Sequence, residues 1–325
     1  MVILLLIILI VLFFIAIQHW QKGKDLRKKT LLEDTLKHIY MSNKDEIPAT
    51  LDSIKGHQKI SDKSALDIIG HLIKNKLVVR RKNTLYVTDE GKKYALNIIR
   101  NHRLWERYLA EESGVKVEDW HIEAEKMEHK LTDEQRLELR KKLGNPLKDP
   151  HGDVIPGEAE DDFEICGEQL SEITLPGNYK IMHIEDEPHE VYMQILSKNL
   201  FPGMVIEVVE INNQEMKIKT LEDEFSITKT LAYNINVVPT EENLLEGIKK
   251  LSELKIGEEA VVVKISEKIR GTKRRRLLDL GIIPGSKIKV MYENISGNPR
   301  AYEVKNTLIA LRNDTASEIY VKEND

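Results

Sequence analysis

The chain spells one pattern twice, and that repeat limits its fold more than any other feature. Leu170-Ser171-Glu172 returns as Leu251-Ser252-Glu253. Leu200-Phe201-Pro202-Gly203 followed by Val205-Ile206-Glu207-Val208 returns as Ile282-Ile283-Pro284-Gly285 followed by Lys287-Ile288-Lys289-Val290, at an offset of 81–82 residues. A segment that repeats both its apolar pattern and its turn residues at one spacing should fold twice into the same unit. Each copy alternates apolar and polar side chains, the period of strands with one wet face, and is punctuated by Gly or Pro. Two small β-barrels in tandem are expected, over residues 168–240 and 248–323.

The opposite end carries a different constraint. Val2 to Ile17 is an unbroken apolar run, followed by Trp20 and then Lys22, Lys24, Arg27, Lys28 and Lys29. Sixteen helical residues rise ~24 Å, a little short of the ~30 Å hydrocarbon core of a bilayer. A cleaved signal peptide fits poorly, since no basic residue precedes the run and no small-x-small site follows it. A buried core helix is the other rival. An interfacial aromatic with positive charge on one side predicts a transmembrane anchor over residues 1–20, with the remainder in the cytoplasm.

The formal net charge of −5 over 325 residues hides a split. Residues 21–110 sum to +9, residues 111–170 to −10 and residues 171–325 to −4. The charge is too balanced for a disordered chain, and 41% hydrophobic residues suffice for packed cores. The single cysteine, Cys166, excludes an intramolecular disulfide framework and any multi-cysteine metal site. A mean hydropathy of −0.38 excludes a polytopic membrane protein.

Between anchor and barrels the pattern is mostly helical. Leu32, Leu36, Ile39 and Tyr40 recur at helical spacing, a second helical stretch runs through Ile47–Ile54, and a third opens at Ser61. That third helix is expected to bury Ala65, Ile68, Ile69, Leu72 and Ile73, with Ser61 as its N-cap. Leu77–Arg80 and Leu85–Val87 read as a two-stranded hairpin, and three helices plus a hairpin make a winged helix-turn-helix over residues 30–92. Further helices are expected from Thr88 to about Ala110, over Val117–His129 and over Thr132–Lys142. Together they form a helical domain over residues 93–157, followed by an acidic linker at Glu158–Glu164.

His102 and Glu106 stand at i, i+4, and His121, Glu125, Glu128 and His129 at i, i+4, i+7, i+8, which places the latter four on one helical stripe. Imidazoles and carboxylates so arranged suit a divalent cation. They equally suit a solvated face paired with Lys126 and Lys130. No HExxH zinc-protease pattern and no nucleophile motif is present, so a hydrolytic enzyme is the least supported reading.

These segments resemble the diphtheria-toxin-repressor-like, metal-dependent transcriptional regulators. The resemblance is carried by Leu32-Glu33-Asp34-Thr35-Leu36-Lys37-His38-Ile39-Tyr40, His102-Arg103-Leu104-Trp105-Glu106, His121 to His129, and Asp149-Pro150-His151-Gly152, over about Leu31–Pro156. It implies a winged helix-turn-helix, a helical metal-binding and dimerisation domain, and a homodimer. It further implies an ancillary metal site of His102, Glu106 and His121, and a primary site of Asp34, Glu125, Glu128 and His129. In barrel-containing relatives the barrel can donate ligands, which here falls near Glu187, His189 and Glu190; an acidic surface loop fits that stretch as well. Aspartate at 34 and glutamate at 125 match the manganese type twice, and carboxylate in place of sulfur favours harder ions. Lys37 departs from that type by standing where another carboxylate ligand is placed, and His121 resembles the iron type. The implied cofactor is Mn²⁺ or Fe²⁺.

Ser61, Lys63 and Ser64 would open the recognition helix, Ser61–Lys76, and meet phosphates and base edges. Arg80, Arg81 and Lys82 of the wing, with Lys74 and Lys76, would hold the backbone. Asp67 counts against double-stranded DNA, because a carboxylate near phosphates is a net cost. The second barrel, with Arg274-Arg275-Arg276-Leu277-Leu278-Asp279-Leu280-Gly281-Ile282-Ile283-Pro284-Gly285, looks like the FeoA-type domain of ferrous-iron transport systems, which implies protein contacts without catalysis. The fold class expected is α+β and multidomain. Two functions follow: a membrane-tethered, metal-dependent regulator of metal homeostasis that binds DNA, or a metal-sensing module of a membrane metal transporter with a vestigial helix-turn-helix.

Overall fold

The computed structural model describes residues 21, 23, 26–157, 167–221, 223–241, 247–266, 268–295 and 297–323. The expected anchor over residues 1–20, the acidic linker over residues 158–164 and Cys166 lie outside the described residues. Among the described residues no helix is long and apolar enough to cross a membrane. The chain divides into two compact units, one of Met1–Arg103, Ala124–Glu138 and Ile155–Asp162, the other of Leu104–Glu123, Leu139–Val154 and Phe163–Asp325.

The first unit is built on helix α1 (residues 26–44), α2 (Leu51–Gln58), α3 (Asp62–Lys74) and the hairpin β1 (Val78–Arg81)–β2 (Thr84–Val87). The hairpin is antiparallel, from Val78 opposite Val87 to Arg81 opposite Thr84. The second helix starts four residues later than its apolar pattern suggests. Pro48 disfavours helix in the residue before it, and Thr50 forms a capping box with Ser53, whose amide donates to Thr50 Oγ1 at 3.2 Å. Ser61 caps α3 as expected, accepting from the Ser64 amide at 3.3 Å. Ala65, Ile68, Ile69 and Leu72 are buried on that helix, whereas Ile73 is exposed, because it lies past the edge of the stripe defined by the other four. Helix α4 (Asp89–Glu112) starts tight against the hairpin, and a Cβ at Gly91 would lie 1.9 Å from the Leu77 carbonyl oxygen. The unit also takes in the C-terminal part of α5 (Trp120–Glu128) and the start of α6 (Asp133–Lys142).

The second unit holds the duplicated β domains. The first comprises β3 (Glu168–Gln169), β4 (Gly177–Ile184), β5 (Val205–Ile211), β6 (Glu215–Lys219), β7 (Glu224–Thr228) and β8 (Ile235–Pro239), with α7 (His189–Ser197) and α8 (Lys229–Ala232). Its sheet runs β3-β8-β4-β5-β6-β7. The second comprises β9 (Ile248–Lys250), β10 (Glu259–Ile265), β11 (Lys287–Glu293), β12 (Arg300–Val304), β13 (Thr307–Leu311) and β14 (Ile319–Glu323), with α9 (Gly271–Asp279) and α10 (Asn313–Ala316), and runs β9-β14-β10-β11-β12-β13. The two orders are the same order. Even the register shifts coincide: Ile181/His183 against Val262/Lys264, and Val208/Glu210 against Val290/Tyr292. Such bulges sharpen the twist that wraps a small sheet around its core. Each core is aliphatic, with Ile181, Ile206, Val208 and Ile218 buried in one and Val262, Ile288, Val290 and Val304 in the other. The described pairings do not close either sheet into a ring.

Candidate metal centres

The first cluster lies wholly in the first unit. Asp34 is on α1, and Glu128 and His129 stand at and just beyond the end of α5. His129 Nε2 lies 3.0 Å from Asp34 Oδ1 and 3.4 Å from Glu128 Oε1. Its other ring nitrogen, Nδ1, is 2.6 Å from Glu33 Oε2, and Glu33 in turn accepts from the Tyr94 hydroxyl. A carboxylate holding the far side of an imidazole is the arrangement that aims the near nitrogen at a cation. Glu128 is almost fully buried and contacts Lys37 Nζ at 3.1 and 3.2 Å from its two oxygens and His102 Nδ1 at 2.6 Å. Burial works to raise the Glu128 pKa, but the Lys37 ammonium, then His102 and His129, hold it at about 2. Burial likewise works against a charged His129, and the hydrogen bonds to Asp34 and Glu33 with the Glu128 charge bring it up to about 9. Two carboxylates and one oriented imidazole are a donor set of hard to borderline character, which fits a Mn²⁺- or Fe²⁺-like ion. The Lys37 ammonium lies against one carboxylate of this donor set.

The second cluster belongs to the second unit. Glu106 of α4, His121 of α5, His151 of the loop after α6 and Asp186 after β4 converge. His121 Nδ1 is 2.8 Å from Asp186 Oδ2 and 3.5 Å from Glu106 Oε1, and His151 Nε2 is 3.6 Å from Glu106 Oε1 and 3.8 Å from Asp186 Oδ2. The loop is preset by Asp149, whose Oδ1 accepts from the His151 and Asp153 amides at 2.9 Å each. Gly152, at φ +97°, lets that loop close on β4, where a Cβ would sit 2.1 Å from the Met182 carbonyl oxygen. The Ile184 amide then donates to the His151 carbonyl at 2.9 Å. Burial disfavours the His151 cation, yet Glu106 and Asp186 raise it to about 10.

The expected single stripe of His121, Glu125, Glu128 and His129 is divided in the fold. Helix α5 ends at Glu128, so His129 leaves the helical register and meets Asp34, while His121 faces Glu106, as the ancillary site implies, and Asp186. Glu125 is exposed, and its charge acts on Lys37. His102 turns to Glu128. Of the barrel residues expected to approach, His189 and Glu190 are exposed, while Glu187 Oε1 lies 3.4 Å from His121 Nε2. Asp186, one residue earlier, is the carboxylate that enters the cluster. Sequence reasoning missed it along with Glu33 and His151. His151 was visible only as part of Asp149-Pro150-His151-Gly152.

On α3 and the wing, Ser61, Lys63, Arg80, Arg81 and Lys82 are exposed and Ser64 is half-buried. Ser61 and Ser64 hydroxyls lie 3.1 Å apart, Arg80 Nε donates to the Lys82 carbonyl at 3.0 Å, and Arg81 covers the Tyr86 ring at 5.5 Å. Asp67 shares the exposed face of α3 with Leu66.

The iron dependent repressor, metal binding and dimerisation domain matches residues 88–157, and the FeoA domain matches residues 249–323. The chain is thus similar to diphtheria-toxin-repressor-type regulators over residues 88–157 and to FeoA domains over residues 249–323. Among curated relatives, the diphtheria toxin repressor of Corynebacterium diphtheriae is 28% identical over 144 residues, 41% of this chain and 64% of that protein. The iron-dependent repressor IdeR of Mycobacterium bovis is 38% identical over 76 residues, 23% of this chain and 33% of the relative. A probable metal transport system membrane protein of Chlamydia trachomatis is 40% identical over 85 residues, 26% of this chain and 19% of the relative. The chain thus spans less than two thirds of each of these relatives. Among solved structures, a manganese-dependent transcriptional repressor in complex with manganese aligns with a TM-score of 0.57 at 24% identity, covering 64% of this chain and 99% of the other. The manganese regulator SloR aligns with a TM-score of 0.53 at 23% identity, covering 64% and 98%. At such identities the likeness is one of fold.

Proposed function

We propose that this chain is a divalent-metal-dependent, DNA-binding transcriptional regulator of metal homeostasis. The ion is Mn²⁺ or Fe²⁺, and the chain works as a homodimer. One observation carries the reading: Asp34, on the first helix of the winged helix-turn-helix, closes on Glu128 and His129 from the end of α5. An ion held by these three groups would tie the DNA-binding helices to the repressor-type domain. Its binding energy would then favour one spacing of the recognition helices, a population shift in the ordinary thermodynamic sense. His129 presents Nε2, Asp34 and Glu128 neutralise the charge, and Glu33 fixes the ring. The ion supplies only the electrostatic bridge. The Glu106–His121–His151–Asp186 cluster would hold a second ion.

The localisation we propose is the cell membrane, with residues 1–20 as a single anchor and the remaining domains in the cytoplasm. A second reading draws on the similarity to the metal transport system membrane protein and on the exposed Asp67: a metal-sensing module acting on a transporter, with a helix-turn-helix that no longer engages DNA. A gel-shift titration separates the two. The full chain in detergent, its own upstream DNA and rising Mn²⁺ should give a sequence-specific shift that His129→Ala abolishes. Metal-independent or absent binding refutes the regulator.

A further inference from the structure

Arg270 sits at the N-terminal edge of α9 in the second β domain, yet its guanidinium lies over rings from elsewhere. Its Cζ is 5.3 Å from the Trp120 ring and 4.7 Å from the Phe201 ring. Trp120 is followed directly by His121, and it stands edge-on to His151 at 6.4 Å. Tyr192 flanks His151 in the same way at 5.2 Å, and the Arg270 charge reaches that tyrosine too. One cation from the FeoA domain therefore bears on both aromatic rings beside one imidazole, and on the residue next to the other.

Two further contacts seat the domain at this point. Arg275 donates to Glu112 at the end of α4. Gly271, at φ +56°, passes so close to the Ser113 carbonyl that a Cβ would lie 2.4 Å from its oxygen. These hold the domain against the turn between α4 and α5 without touching the imidazoles. Among the described residues the FeoA domain supplies no donor to either cluster, so its influence on them has to pass through such a contact.

We propose that Arg270 is a positioning residue for the Glu106–His121–His151–Asp186 centre, and that the FeoA domain docks more firmly when that centre holds a divalent cation. The inference rests on reading that cluster as a metal centre. Groups behind a ligating imidazole set its aim, and their loss typically costs 10–100-fold in metal affinity. Linkage makes the effect reciprocal: whatever docking contributes to ion binding, ion binding contributes to docking.

The test uses the full chain in detergent with Mn²⁺ as the probe, followed by calorimetry and by hydrogen exchange over residues 272–279. The wild type should take up two ions. Arg270→Ala should keep the Asp34 centre unchanged and bind the other ion roughly 10–100-fold more weakly. Arg270→Lys, which keeps a cation over the rings, should recover most of the loss. Mn²⁺ should slow exchange along α9 in the wild type and fail to do so in His151→Ala. If Arg270→Ala binds both ions as the wild type does, the coupling is overturned while the metal centre stands. If Arg270→Ala does not fold, the decision falls to wild-type exchange, and α9 amides indifferent to Mn²⁺ overturn the coupling. A wild type that takes up one ion only, untouched by His151→Ala, overturns the metal centre and the coupling together.

Discussion

Lys37 is the cation already seated at the Asp34 centre, and removing it should move stability and metal affinity in opposite directions. Its ammonium lies 3.1 Å from a Glu128 oxygen, with 27% of the lysine side chain and 1% of the glutamate side chain exposed. At that separation and an effective dielectric of ~20 the gross attraction is roughly 5 kcal/mol. Desolvation and the partial exposure of the lysine leave about 2–3 kcal/mol net. Lys37→Ala should therefore lower the melting temperature of the metal-free protein by roughly 5–10 °C. The same substitution bares a buried carboxylate that no longer has to give up an ammonium when an ion arrives. Mn²⁺ should bind roughly 30–150-fold more tightly, the equivalent of that released energy. Thermal melts with chelator or Mn²⁺, and calorimetry in a His151→Ala background that isolates this centre, read both quantities. A metal-free melting point that does not move, or Mn²⁺ affinity that falls, would refute the idea that Lys37 holds the place of the ion.

Three other expectations are independent of that one. His38 stacks on His57 at 4.4 Å, and burial followed by the His57 charge lowers its pKa from 6.5 to about 4. The unfolded chain then binds the extra proton first, so stability is full above pH ~6.5 and is lost as pH falls toward ~4. Discounted for partial exposure the loss is about 1–2 kcal/mol; denaturant melts at pH 7 and 4.5 should show it, and His38→Gln should flatten it. Gly152→Ala drives a Cβ to 2.1 Å from the Met182 carbonyl oxygen at φ +97°, at a cost above ~2 kcal/mol. Calorimetry should count one Mn²⁺ fewer for that variant, and wild-type stoichiometry would contradict the role given to the His151 loop. Asp67→Asn on the exposed face of α3 should tighten DNA binding roughly three- to tenfold by removing repulsion from phosphates. Unchanged affinity in a titration at fixed salt would place Asp67 away from the DNA.

Local order along the chain was enough to foresee most of the elements. The caps at Ser61 and Thr132 act on amides three residues away, and hairpin and helix periods are properties of neighbours, so they show in a linear reading. The 81–82 residue repeat announced two β domains of one topology, because the same pattern of inward and outward side chains admits the same strand order. What failed was whatever depended on where a helix stops and what meets it. Asp34, Glu128 and His129 converge as the resemblance implies, but Glu125, expected with them, is left exposed. Asp186 and His151 are separated by thirty-five residues, and only the closure of the Gly152 loop on β4 brings them within 3.8 Å. The residue types that can hold an ion were thus written in the sequence. Which of them share a centre, and that Lys37 occupies one of the two, was decided by tertiary packing, because the field at a buried carboxylate is the sum over charges brought near by folding rather than over neighbours in the chain.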